Sequence, residues 1–417
     1  MKKNTYNLKN LKNLVKKNNW FEEKTDIKPY LTEQRGNFTG ASPLLLKPSN
    51  TKEVSNIVKY CFSRDIPLVP QGGRTGLCGG TIPSLKGNEI MISLEKLDNI
   101  RKIDRENFSI IAEAGCILSN IQSIAQKNNR FFPLSLASEG SCTIGGNIST
   151  NAGGVNVLKY GMTRDLVLGL EVVLANGDIW NGLRAIKKDN RGYSLKNLFI
   201  GSEGTLGIIT ACVLKLFPLP KNKETAIVAL KTPAKVSEFY ALSYELFGDL
   251  ISAFELNSSL GMSLIEKNIN NVKNPFSLNY PWYVLIEMSS TFKSDINKHM
   301  NDLLVSANNK NIIIDGVQAQ SLSQASEIWK TRELLNEAQR KEGASIKHDI
   351  SIPLNSIESF IAQATKKIHH FIPESNILTF GHFADGNIHF NIGQPKNISK
   401  ENFQSKTKDV NNIVFEM

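Results

Sequence analysis

Three glycine-rich tracts in the first half of the chain constrain its fold more than any other feature. They read PQGGRTGLCGG (Pro70–Gly80), EGSCTIGGNISTNAGG (Glu139–Gly154) and GSEGTLGIIT (Gly201–Thr210). Twenty of the 29 glycines lie between Gly72 and Gly207. Glycine permits positive φ and lets a backbone approach a ligand closely, and successive N–H groups in such loops form anion-binding concavities. A single GG pair reads as a turn between strands. Three tracts, separated by strand-like segments and carrying Ser, Thr and Asn donors, suit a long anionic cofactor. None is a G-x-G-x-x-G fingerprint set between a strand and a helix, and no G-x-x-x-x-G-K-[ST] loop occurs. The cofactor fold is therefore neither a Rossmann unit nor a P-loop.

At 417 residues the chain exceeds the size at which one core keeps growing, so two domains are expected. A hydrophobic content of 41% and a charged content of 21% describe an ordinary globular protein. The longest apolar stretch, Leu166–Ala175, is interrupted by Glu171 and is well short of the ~20 residues that span a bilayer. No apolar h-region of a secretory signal is visible. Residues 1–24 hold seven lysines and two glutamates, which is half of the net charge of +10. Leu8, Leu11, Val15 and Trp20 mark one face of a helix there. Such a helix suits an anionic membrane or nucleic acid, but a solvated Lys/Asn-rich helix packing on its own domain is favoured, and no nucleic-acid motif accompanies it. Transit peptides prefer Arg and Ser to Lys and Asn. Cys61, Cys78, Cys116, Cys142 and Cys212 form no C-x-x-C pair and read as reduced packing thiols. These features point to a cytoplasmic protein.

Along the chain, Pro43–Pro48 reads as a short strand and Ser49–Arg64 as a helix capped by Ser49 or Thr51, with Val54, Ile57, Val58 and Cys61 inward. Ile66–Pro70 reads as a buried strand delivering the first glycine tract. Further strands are expected at Ile90–Ser93, Ile110–Ala114, Leu166–Leu174 and Ile208–Phe217, with a helix at Ile117–Asn128. PLPKNK (Pro218–Lys223) is the best domain break. Beyond it, strands at Glu224–Leu230, Trp282–Ser289 and Ile312–Gly316 alternate with helices at Lys235–Leu246 and Asp295–Asn308. That alternation suggests an antiparallel sheet covered by helices.

With YLTEQRG (Tyr30–Gly36), YGMTRD (Tyr160–Asp165) and GLEVVLANGD (Gly169–Asp178), the tracts closely resemble the FAD-binding domain of vanillyl-alcohol-oxidase-type flavoproteins. Within that superfamily the chain looks most like the D-2-hydroxyglutarate/D-lactate dehydrogenase and glycolate oxidase group, from about Trp20 onward. The resemblance implies an α+β fold: a two-subdomain FAD-binding domain of the PCMH type, then an antiparallel-sheet substrate domain. The expected division is a basic helical segment at 1–36, the FAD-binding domain at 37–219 and the substrate domain at 222–417. FAD contacts are implied at Pro70, Gly72, Gly73, Arg74, Thr75, Gly76 and Leu77 in the first tract. Around the second they are Ser138, Ser141, Cys142, Gly145, Gly146, Asn147, Thr150, Asn151, Gly153 and Gly154, and in the third Glu203, Gly207, Ile208 and Ile209. The first histidine is His299, so a histidyl-linked flavin in the first half is ruled out and FAD is expected to be non-covalent.

In the second half, GHFADGNIHFNI (Gly381–Ile392) reads as a hairpin whose second strand puts His389 and Asn391 on one face. Two imidazoles brought together across a turn supply two legs of a metal site, or are structural histidines. The resemblance implies that His382 and His389 bind a divalent cation, commonly zinc, with Ala384 in place of the usual glycine. WKTREL (Trp329–Leu334) and IKHDIS (Ile346–Ser351) are similar to the family's substrate-binding stretch. Arg332 would grip a carboxylate in a two-pronged contact, with Lys347, Asn391 and Asn336 beside it; without the resemblance Arg332 reads as an ordinary helix-surface residue.

The reaction implied is oxidation of a D-2-hydroxy acid, D-2-hydroxyglutarate foremost, to the 2-oxo acid, with metal-assisted activation of the hydroxyl, hydride transfer to flavin N5 and an unidentified electron-transfer protein or quinone as acceptor. A D-lactate dehydrogenase, a glycolate oxidase subunit and a flavin protein without catalysis are the alternatives. In the family a Glu-His pair follows the helix that Lys400–Met417 resembles. The sequence stops first, so a truncated C-terminus with weak metal binding and poor turnover is expected, and the catalytic base stays unassigned.

Overall fold

The computed structural model describes residues 7–36, 38–292 and 294–417. The expected basic helix thus falls partly on residues 1–6, outside the described residues. Two compact units emerge: Met1–Gly154 with Tyr160–Leu219, and Val155–Lys159 with Pro220–Met417.

In the first unit, a helix at Leu8–Lys12 buries Leu11, and Val15 follows it into the same core. Lys12 lies 4.3 Å from the Trp20 ring centroid. The helix expected to carry its apolar face on to Trp20 stops at Lys12, with Val15 in a bend and Trp20 in a short strand, yet Leu8, Leu11, Val15 and Trp20 all pack into one core. The helix Thr51–Phe62 buries Val54, Ile57, Val58 and Cys61 as their spacing predicts. Its cap is Asn50, whose side chain accepts from the Glu53 N–H, and neither Ser49 nor Thr51. The Thr51 hydroxyl is taken instead by Glu171, at 2.7 Å.

Strands β1 (Trp20–Phe21), β2 (Leu45–Leu46), β3 (Leu68–Gln71) and β4 (Ile90–Ser93) form a sheet of order β1-β2-β4-β3, parallel at both β4 edges. The strand expected at Ile66–Pro70 is β3, half-buried up to Gln71 rather than buried. Pro70 has no N–H to give a second neighbour, which suits an edge strand. A second, antiparallel sheet of order β5-β6-β10-β8-β9 contains β5 (Ile100–Asp104), β6 (Ser109–Glu113), β8 (Val167–Leu174), β9 (Ile179–Gly182) and β10 (Gly207–Lys215). A ribbon of β7 (Arg130–Phe131) and β11 (Phe217–Pro218) lies beside it. Arg101 on β5 bridges the buried Glu113 and Glu171, each at 3.0 Å.

The second unit is one antiparallel sheet of order β15-β12-β14-β13-β17-β18-β16. Its strands are β12 (Asn222–Leu230), β13 (Ile251–Ser258), β14 (Trp282–Ser290), β15 (Asp315–Gln318), β16 (Ser345–Ser351), β17 (Asn376–His382) and β18 (Asn387–Gly393). The strand expected at Ile312–Gly316 begins three residues later, because Ile312 and Ile313 are used to seal the core below the preceding helix. One face of the sheet, with Phe254, Leu256, Val284, Ile286, Ile388, Phe390 and Ile392, is covered by the helices Pro233–Phe247, Ile296–Asn309 and Ile357–Phe371. Residues Lys400–Met417 form two helices, Lys400–Ser405 and Thr407–Phe415, instead of one. Phe403, Val410 and Val414 are buried beneath them, and Met417 is exposed.

Phe390 alternates with His389 and Asn391 on β18, so its burial decides which way they point. It is fully buried and meets Phe360 edge-on, with centroids 5.4 Å apart. Phe390→Ala should cost about 3–5 kcal/mol, read as a lower midpoint in urea unfolding. A loss under ~1 kcal/mol would show that the hairpin does not depend on this anchor.

Candidate active site and cofactor cradle

The three glycine tracts meet one another in the first unit. The Gly73 N–H donates to Thr143 Oγ1 at 3.2 Å, and a Cβ on Gly73 would overlap the Ser141 carbonyl oxygen. The carbonyls of Ile148 and Ser149 accept from the N–H groups of Gly201 and Glu203 at 3.1 and 2.8 Å. A Cβ on Gly204 would lie 2.8 Å from Pro70 Cγ, and one on Gly80 3.0 Å from Glu203 Oε2. Each tract also holds a non-glycine residue at positive φ: Arg74 at 57°, Asn151 at 47° and Glu203 at 51°. Such conformations survive where the surroundings over-determine them, often at ligand sites.

The expected FAD contacts separate by environment. Pro70, Gly72, Gly73, Arg74, Thr75, Ser138, Gly146, Asn151 and Gly153 are half-buried, while Gly76, Leu77, Ser141, Thr150 and Glu203 are exposed. Cys142, Gly145, Asn147, Gly154, Gly207, Ile208 and Ile209 are buried. A Cβ on Gly145 would come 2.6 Å from Ala114 Cβ, and one on Gly154 would overlap the Ser135 carbonyl. Those two glycines serve the packing of the protein on itself. Ile208 and Ile209 fill two different cores, so only their backbone is available. The Arg74 guanidinium donates to the Pro29 carbonyl at 2.8 Å and stacks on Tyr30, 3.9 Å from its centroid. These contacts fix its side chain against the start of the YLTEQRG segment.

The second unit assembles its polar residues on the sheet face opposite the large core. Glu255 of β13 pairs with His382 of β17, Phe380 with His389, Asn391 of β18 with Lys347 of β16, and Asp349 with His389. Directly opposed residues share a face. Glu255 is 2% exposed. One of its oxygens accepts from His382 Nδ1 at 2.5 Å and the other from Arg332 Nε at 2.6 Å. Arg332 stands in the last turn of the helix Leu322–Glu333 and lies 5.0 Å from the Phe380 ring centroid. Lys347 Nζ donates to Asn336 Oδ1 at 3.0 Å, and Asn391 Nδ2 to Gln339 Oε1 at 2.9 Å. The His382 and His389 centroids are 5.8 Å apart, and His389 Nδ1 is 3.4 Å from Asp349 Oδ1. Asp385 is tied into the turn, accepting from the Asn387 N–H at 3.0 Å.

Burial alone would push the Glu255 carboxyl up, but the charges and hydrogen bonds of Arg332 and His382 outweigh it and hold the group well below the usual carboxylate range. Burial works against a charged His382 as well, and Glu255 overcomes it, raising the imidazole. Sequence reasoning missed Glu255, Asp349 and Gln339. A signal for Glu255 was present: a lone carboxylate in the otherwise apolar or small-residue run Ile251–Leu256.

The pattern of an FAD binding domain matches residues 42–182, and that of the C-terminal domain of FAD linked oxidases matches residues 219–417. A mitochondrial D-2-hydroxyglutarate dehydrogenase of Arabidopsis thaliana is 36% identical over 91% of this chain and 67% of its own length. The chain belongs to the D-2-hydroxyglutarate dehydrogenase family of FAD-linked oxidases. A family member from Schizosaccharomyces pombe, named a putative mitochondrial D-lactate dehydrogenase, is 33% identical over 88% of this chain and 71% of its own. The chain spans about two thirds of the length of the curated relatives it matches. Among solved structures an alkyldihydroxyacetonephosphate synthase superposes with a TM-score of 0.79 at 17% identity, over 98% of this chain and 79% of that one, a likeness of fold. The cytoplasmic expectation is overturned, since these family relatives carry mitochondrial names. Reduced, unpaired cysteines suit more than one reducing compartment and could not make that distinction.

The cradle fits FAD. Gln71 Oε1 and Asn147 Oδ1, within the first and the second tract, are buried and without hydrogen-bond partners, and such acceptors call for a donor. A Cβ on Gly146 would meet only Thr143 Oγ1, at 3.5 Å, so its bare surface serves nothing in the protein itself. Gly146→Val should leave the melting temperature of the flavin-free protein within a few degrees while abolishing FAD binding. Gly73→Val should lower both, because its side chain would strike the neighbouring tract. Stoichiometric FAD in purified Gly146→Val would show that this surface does not face the cofactor.

Proposed function

We propose that the second unit binds a D-2-hydroxy dicarboxylate, D-2-hydroxyglutarate foremost, for oxidation to the 2-oxo acid. The observation that carries this reading is one sheet face at which two cations, Arg332 from the covering helix and Lys347 from β16, stand with two carboxylate-backed imidazoles. Arg332 is held through Nε, which suits a grip on one substrate carboxylate through its terminal nitrogens. Lys347, with Asn336 and Asn391 nearby, answers a second carboxylate. D-Lactate and glycolate have only one, which ranks them below the dicarboxylate.

His382 and His389 fit a divalent cation, zinc foremost. Both Nδ1 atoms face carboxylates, the arrangement in which the remaining Nε2 serves as a metal ligand. Among the described residues no cluster of three or more His, Cys, Asp or Glu side chains suited to a metal ion is found, so these two imidazoles would be only part of the cation's ligand set. When bound, FAD supplies the hydride acceptor and the cation supplies a Lewis acid for the hydroxyl. The protein's own part is orientation and charge.

Anaerobic mixing with D-2-hydroxyglutarate should bleach the flavin faster than D-lactate or glycolate does. Equal bleaching by all three would remove the dicarboxylate preference. A flavin that stays yellow with every 2-hydroxy acid would support a binding protein without catalysis. Arg332→Lys should raise KM for the acid by roughly 10–100-fold, the loss of one charge-assisted hydrogen bond. Acid precipitation should release all the flavin, and colour left on the pellet would disprove non-covalent binding.

A further inference from the structure

We infer that Glu255 is a positioning residue for both parts of the acid-binding face, fixing His382 in the tautomer with its hydrogen on Nδ1 and setting the orientation of Arg332. This rests on the reading of the site just given and deepens it. Glu255 is 2% exposed and stands directly across the β13–β17 ladder from His382. An ionised carboxylate accepts hydrogen bonds and donates none, so the nitrogen 2.5 Å away, His382 Nδ1, must carry the hydrogen. The ring's unshared pair is then on Nε2, the ligand form of a neutral imidazole. A carboxylate behind a histidine also strengthens the ring as a ligand.

The second oxygen of Glu255 holds Arg332 Nε at 2.6 Å. A two-pronged grip on a substrate carboxylate through the terminal nitrogens does not need that nitrogen. The Phe380 ring, 5.0 Å from the guanidinium centre, limits it from another side. One buried carboxylate therefore sets a ligand atom and an anion clamp at once. His389 is held more loosely, since its carboxylate neighbour, Asp349, is 3.4 Å away and exposed.

The test uses FAD-loaded, metal-free protein labelled with ¹⁵N-histidine. Long-range ¹H–¹⁵N NMR is recorded above the pH at which the ring loses its second proton, and a His382→Gln variant identifies the His382 signals. The unmodified protein should show His382 as a single Nδ1–H tautomer. Glu255→Gln offers one acceptor to two donors and turns an amide N–H₂ toward the imidazole. It should move the hydrogen to Nε2 and weaken zinc binding, measured by chelator competition, by about 10–100-fold. Glu255→Asp, which keeps the negative acceptor, should recover part of that loss.

A mixed or Nε2–H tautomer in the unmodified protein would overturn the inference, and that measurement holds even if the variants fail to fold. So would a Glu255→Gln protein with native FAD content whose tautomer and zinc affinity are unchanged, whatever its turnover. If the unmodified protein takes up no zinc at all, the metal part of the proposed function fails, while the tautomer still judges Glu255 by itself.

Discussion

Strand register is the constraint on which the chemistry of the second unit depends. Side chains alternate across a strand, so a slip of one residue would exchange every core residue for a site residue. On β18, Ile388, Phe390 and Ile392 enter the large core, while Asn387, His389 and Asn391 take the other face. The same alternation puts Phe254 and Leu256 of β13 inside and Glu255 outside, opposite His382. Core burial thus selects the register, and the register delivers the polar residues. No separate device is needed to bring strands β13, β17, β18 and β16 into one polar face.

Charge balance decides what that face can tolerate. An unpaired buried carboxylate is strongly disfavoured and normally neutralises itself by taking a proton. Glu255 escapes this because a guanidinium and an imidazole each contact a separate oxygen. The first unit meets the same problem with Glu171, which accepts from Arg101, Thr51 and Thr210. The two networks differ in what surrounds them. Glu171 ties a helix to a sheet through hydroxyls, whereas the partners of Glu255 include a histidine with a ring nitrogen to spare and an arginine held by its non-terminal nitrogen.

Features written in short, local motifs were legible in the sequence. The glycine tracts, the His382–His389 hairpin, the inward face of Thr51–Phe62 and the antiparallel character of the second unit all follow from neighbouring residues and their periods. Exact caps and strand starts were less legible. Thr51 was drawn away from a capping role by Glu171, 120 residues distant, and Ile312–Ile313 by core packing. Glu255 stood out in ISAFELNS as a lone carboxylate, but its role was not legible for a related reason: that role exists only once β13 lies beside β17, a pairing that nothing local announces. Long-range contacts assign roles that spacing cannot.

The glycine tracts carry the same lesson within a single motif. Read as sequence, all their glycines look alike, each a candidate for contact between backbone and cofactor. In the fold they divide. Gly73, Gly145 and Gly154 lack side chains because another part of the protein already occupies that space, whereas Gly76 and Gly146 face room that no protein atom fills closely. Only the second kind reports directly on a ligand, and the first builds the shape that presents it. A glycine motif is therefore a statement about two surfaces, one closed against the protein and one left open. The orphaned acceptors of Gln71 and Asn147 mark the side on which a partner is still required.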